Sequence, residues 1–172
     1  MVKKVDYKNR GLDFEFEIQK HCEELKENGI GIISKVPTEW KVTRRYNPQK
    51  KRTEIFNAFP VAESKFVDFI GAIHNKPIAI EAKETKEEKR FDFKNIKDTQ
   101  VDFLKLWSKL GNQGYYIVRF TEHKEVYLIK SEIMHDWIDN LGRKSVPYET
   151  LKNTNDVVLL DYKKLNFEDY II

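Results

Sequence analysis

The sequence has one cysteine, Cys22, so no disulfide can close within the chain. Histidine is also sparse. Of the four, His21 simply adjoins Cys22, while His74, His123 and His135 stand apart with no zinc-ligand spacing, which argues against structural zinc. No apolar run is long enough to cross a bilayer, and no basic start, apolar stretch and small-residue cleavage site marks a signal peptide. The expected location is therefore the cytoplasm, with no membrane partner. There is no internal repeat, no low-complexity tract and no strong net charge. A formal charge of +3 is too small to argue nucleic-acid binding by itself.

What is present is the composition of a globular chain, 40% hydrophobic and 34% charged. Its 172 residues suit one core, so a single domain over 1–172 is expected, with any extra piece an arm. Charge distribution says more than net charge. The stretch "KVTRRYNPQKKRT" carries Lys41, Arg44, Arg45, Lys50, Lys51 and Arg52 and no acid. A solvated loop or a basic edge strand would look the same. Trp40 and Tyr46 tilt the reading toward nucleic acid, since an aromatic ring can stack on a base while cations meet phosphates.

Phe14, Ile18, Cys22 and Leu25 recur at helical spacing and predict a helix over 12–28, stopped at Asn28-Gly29. "GIGIISKVP" and "EWKVTRRY" predict strands. "KKRTEIFNAFPVAESK" has no clean period, and a projecting arm is expected at about 44–65. "FVDFIGAI" and "KPIAIEAKET" predict a strand pair joined through "HNK". A helix follows from Asn95 to a glycine stop, with Ile96, Gln100, Phe103, Trp107 and Leu110 on one stripe. "YYIVRF" and "EVYLIK" predict a second strand pair, "SEIMHDWIDN" a helix capped by Ser131, and the C-terminal segment short extended pieces. Helix, strands, helix, strands is an α/β pattern around a central sheet.

On the strand "KPIAIEAKET", Ile78, Ile80 and Ala82 point one way and Ala79, Glu81 and Lys83 the other, so an acid and a lysine emerge side by side near Asp68. An unpaired buried carboxylate costs several kcal/mol, so something cationic must answer these acids. Lys83 could do so as an ordinary salt bridge. Two carboxylates with a lysine one pleat away are also what metal-dependent phosphodiester hydrolysis needs: the acids hold a hard cation, usually Mg²⁺, and the lysine orients water or stabilises the transition state. Gln100 lies on an apolar stripe where its amide needs a partner, either backbone or the same metal. Glu15, on the first helix, could back the site through a water or be a solvated surface acid.

Asp68, twelve residues, then Glu81-Ala82-Lys83 resembles the PD-(D/E)XK nucleases. "NRG" at 9–11, "VDFIG" at 67–71, "EAKETK" at 81–86, "FDFKNIKDTQ" at 91–100 and "GRKSVPYETL" at 142–151 stand in the order of the RecU-type Holliday junction resolvases, which the chain resembles over nearly its whole length. The resemblance implies a restriction-endonuclease-like mixed central sheet flanked by helices, with a basic stalk that enters a four-way junction. It implies metal carboxylates at Asp68 and Glu81, a further metal ligand at Gln100 and the transition-state lysine at Lys83. It also implies Mg²⁺, with Mn²⁺ as the alternative, and a homodimer cutting two opposed strands. Contact with a recombinase is a further expectation. DNA would be met by Arg10, Lys41, Arg44, Arg45, Lys50, Lys51 and Arg52. Phe66 stands where the family usually has a threonine belonging to its metal site, so Ser64, a backbone carbonyl or water would have to replace that oxygen. Two other functions fit the residues: a restriction-like nuclease on linear duplex, and an accessory protein that binds junctions or a recombinase without cutting.

Overall fold

The structure, a computed structural model, describes residues 10–37, 40–60 and 66–171, with the side chains of 10–12 and 60 outside the description. Helix α1 (Arg10–Glu27) buries Phe14, Ile18, Cys22 and Leu25, the four residues of the expected stripe. It packs on strand β1 (Gly31–Lys35). Strands β4 (Phe69–Ile73) and β5 (Lys76–Thr85) then pair antiparallel, Phe69 opposite Ile80, around a turn in which His74 and Asn75 have φ of 48° and 65°. Two successive left-handed residues match the strand twist, which is why a tight turn forms there.

Helix α2 (Asp98–Lys109) carries the chain back so that β7 (Gln113–Phe120) lies parallel to β5, Glu81 opposite Tyr116. Strands β8 (Glu125–Lys130) and β10 (Val157–Leu160) complete a six-stranded mixed sheet in the order β1-β4-β5-β7-β8-β10. Ile78, Ile80 and Ala82 join the core beneath α1. Ala79, Tyr116 and Val118 join the opposite core, beneath α2 and α3 (Ser131–Asn140). Strand alternation therefore sends Glu81 and Lys83 into the second face, as the sequence predicts.

Four expectations change. The stretch without a clean period is strand β3 (Arg52–Pro60), paired with β2 (Trp40–Asn47) in a two-stranded sheet of their own. A register shift at Thr43/Arg44 breaks the alternation and hides β3 in the sequence. Leu110, expected on the buried stripe, is 68% exposed because α2 ends at Lys109, and Leu104 takes the core position. Ser131 is not a cap: Lys130 holds that place, and the Ser131 hydroxyl is buried 3.0 Å from that of Ser108. The C-terminal segment includes helix α4 (Tyr148–Asn153). Short strands β6 (Arg90–Asp92) and β9 (Ser145–Pro147) form a third small sheet.

Candidate active site

Asp68 sits just before β4, pinned from both sides: its carbonyl accepts the Val36 N–H at 2.8 Å, and its Oδ2 accepts the Ala82 N–H at 2.9 Å. That second bond places Asp68 against the strand that carries Glu81 and Lys83. Glu81 is fully buried. Its Oε1 lies 2.6 Å from the Lys83 Nζ and accepts the Gln100 amide at 2.6 Å, while its Oε2 has no hydrogen-bond partner. A buried carboxylate oxygen without a donor is costly, so the site is short of positive charge.

Proton affinities say the same. Burial first, and the neighbouring Asp68 second, push the Glu81 carboxyl from its ordinary 4.5 up to about 8, against the pull of Lys83. Asp68 is also raised, by burial and then by Glu15, with the Ala82 N–H and Lys83 opposing. One lysine does not balance these acids. A divalent cation held by Asp68 and Glu81 would supply the missing charge, and the donor chemistry fits it: hard carboxylate oxygens, one of them unpartnered. Among the described residues no three His, Cys, Asp or Glu side chains form a cage.

Gln100 is brought to the site, with its amide facing Glu81. Its Oε1 accepts the Lys97 N–H at 3.0 Å and the Lys83 Nζ at 3.3 Å, so in this pose it orients Glu81 and Lys83, and ligation through oxygen would require the amide to turn over. Glu15 reaches the margin: it pairs with Lys35 at 2.7 Å and is near enough to raise Asp68. Phe66 turns its ring edge toward Phe103, centroids 5.6 Å apart, and Phe103 stacks on Trp107. Ser64 and the side chain of Arg10 lie outside the described residues.

Lys41, Arg44, Arg45, Lys50, Lys51 and Arg52 are all exposed on the β2–β3 hairpin. Glu54 takes up two of them, Lys50 at 3.1 Å and Arg52 at 2.9 Å, and its carboxyl is held below the usual range by Asn47, Arg52 and Lys50. The guanidinium of Arg45 lies over the Phe56 ring at 5.7 Å.

Sequence reasoning missed Arg119. It is buried on β7, pairs with Glu17 of α1 and with Glu84 at 3.6 Å, and lies 3.9 Å above the Phe14 ring. An arginine inside the apolar run "YYIVRF" was the available signal, since a buried guanidinium requires partners.

The chain matches a family model described as RecU, recombination protein U, over residues 9–171. A protein of Geobacillus sp. (strain WCH70) named Holliday junction resolvase RecU is 30% identical over 161 residues, covering 92% of this chain and 80% of that one. Its namesake from Oceanobacillus iheyensis is 29% identical over 165 residues, covering 92% and 82%. Among solved structures, Archaeoglobus fulgidus Hjc, described as a Holliday junction resolvase from an archaeal hyperthermophile, aligns with a TM-score of 0.41 at 15% identity over 72% of this chain and 75% of that one.

Proposed function

The chain belongs to the RecU, recombination protein U, family, and from that premise we propose that it is a metal-dependent endonuclease that resolves four-way DNA junctions by symmetric strand cleavage in recombination and repair. The relatives named Holliday junction resolvase RecU support the substrate. The observation that carries the chemistry is Glu81, fully buried beside Asp68 with one oxygen held by Lys83 and Gln100 and the other without a donor.

In this reading Asp68 and Glu81 hold the cation, Mg²⁺ or alternatively Mn²⁺, with Gln100 as a further ligand once its amide turns over. When bound, the cation polarises the scissile phosphate and favours deprotonation of the attacking water. Lys83 brings a compact positive charge to where negative charge develops on the phosphate. Glu15, paired with Lys35, backs the site from α1 through a water. Residues 1–172 act as one nuclease domain whose arm, at about 44–65, meets the junction through the exposed cations of the β2–β3 hairpin, with Arg10 adding a phosphate contact. Two copies working as a homodimer in the cytoplasm would place one site on each of two opposed strands, with a recombinase as a further partner.

The test is cleavage of a mobile four-way junction and a matched linear duplex, with and without Mg²⁺, by the wild type and Asp68→Ala. Paired nicks in the junction alone, dependent on metal and lost in the variant, are the expected result. Equal cutting of the duplex would favour the restriction-like reading, and tight junction binding with no metal-dependent nick would favour the non-cleaving one.

A further inference from the structure

A second basic surface adjoins the site and belongs to neither the hairpin nor the catalytic group. Lys97, the residue before α2, gives its N–H to the same Gln100 oxygen that Lys83 touches, so it stands at the lip of the site. Lys94 is three residues earlier, in a 3-10 turn, hence within about 11 Å along the chain at about 3.6 Å per residue. That turn is fastened to the loop ahead of β9: the Phe93 N–H donates to the Lys144 carbonyl at 3.0 Å, which sets Lys144 and Arg143 next to it. Across β6, Asp92 draws in Arg90 at 2.9 Å and Lys94 at 3.5 Å.

The charges in this patch do not balance. Asp92, mostly buried, answers Arg90 and Lys94, and Asp98 follows Lys97, while Lys97, Arg143 and Lys144 are exposed with no ion pair among the described residues. Cations spread over a 3-10 turn, the residue ahead of α2 and the loop ahead of β9, with turn and loop joined by a backbone hydrogen bond, suit an extended polyanion better than a single small anion. Duplex DNA presents one phosphate per strand about every 3.4 Å of axis, so a strand leaving the cut site passes several over the length of this surface.

We infer that the β6–β9 platform, through Lys94, Lys97, Arg143 and Lys144, grips the phosphates of the duplex arm that flanks the scissile bond. This rests on the nuclease reading for what occupies the site, but the contact is to phosphate and carries no information about branching. It therefore predicts equal effects on branched and linear DNA, unlike the hairpin.

The experiment is equilibrium binding of a four-way junction and a linear duplex of the same arm sequence, in EDTA so that nothing is cut, across a salt series. The variants are Lys94→Glu/Lys144→Glu and the milder Lys94→Gln/Lys144→Gln, with Lys163→Glu/Lys164→Glu on the C-terminal segment as an equal charge change elsewhere. The Gln pair is expected to reduce the slope of log K against log salt by about 2, near 0.9 per lost phosphate contact, and to weaken both DNAs about tenfold or more at moderate salt. The Glu pair should do so more strongly, and the control pair should match the wild type. Unchanged slopes in the platform variants, or losses confined to the junction, would overturn the platform, as would an equal loss in the control. If the platform variants lose both DNAs in EDTA while the wild type, assayed separately with Mg²⁺, never cuts the junction, the nuclease reading fails and the platform stands.

Discussion

Glu81 is the residue on which chemistry and stability pull against each other. Its carboxyl ionises near 4.5 when solvated and near 8 in the fold. Between those values the folded protein holds a proton that the unfolded chain has released, so by linkage stability falls as pH rises from about 4.5 to about 8. Melting curves should show that fall in EDTA, and Mg²⁺ should raise the melting temperature more at pH 8 than at pH 5, because a cation then replaces the missing proton. A metal-independent, flat profile would contradict the site. Glu81→Gln keeps the shape and removes the charge, so it should melt higher than wild type at pH 8 in EDTA while losing cleavage. Gln100 tells a different story: it bridges Glu81 and Lys83 and buries its own amide. Gln100→Ala is expected to cost about 10–100-fold in kcat with junction affinity little changed, read from single-turnover cleavage at saturating protein.

At the scale of elements, α1 is held to the sheet by a buried charge as well as by its apolar stripe. Arg119→Ala would remove the guanidinium that pairs with Glu17 and Glu84 and packs over the Phe14 ring, and is expected to cost about 1–3 kcal/mol by urea unfolding. Glu17→Gln, at a carboxylate that is about half exposed, should cost under about 1 kcal/mol. The β1–β4 pairing depends on Gly71, where a Cβ would sit 2.0 Å from the Ile32 carbonyl oxygen. Since backbone cannot yield as a side-chain end can, Gly71→Ala should destabilise by about 1–3 kcal/mol or more in the same assay. Elements with an unbroken period were legible: α1 from its four-residue stripe, β4 and β5 from their alternation around an Asn turn. Strand β3 was not, because the bulge at Thr43/Arg44 slips its pattern, and α4 was not, because six residues are too short for a helical period to show.

For the molecule as a whole, the reading divides labour between the catalytic face, the platform beside it and the hairpin. Replacing residues 43–57 by a short turn should weaken four-way junctions more than linear duplex in the same binding assay; equal losses would tell against a hairpin that senses branching. The sequence by itself determined which groups are candidates for the chemistry. Glu81 and Lys83 lie on a strand whose alternation decides their face, Asp68 stands one residue ahead of the strand paired with it, and a basic run without acids suits either a solvated edge or a polyanion partner, because these are properties of neighbours along the chain. Tertiary structure decided how those groups are charged and held. Only folding brings Gln100 and the Lys97 N–H across from α2, lays β7 parallel beside β5, and strips water from Glu81 until one of its oxygens has no donor. Those contacts join residues far apart in the chain, and the proton affinity they create depends on water exclusion, which no local pattern encodes.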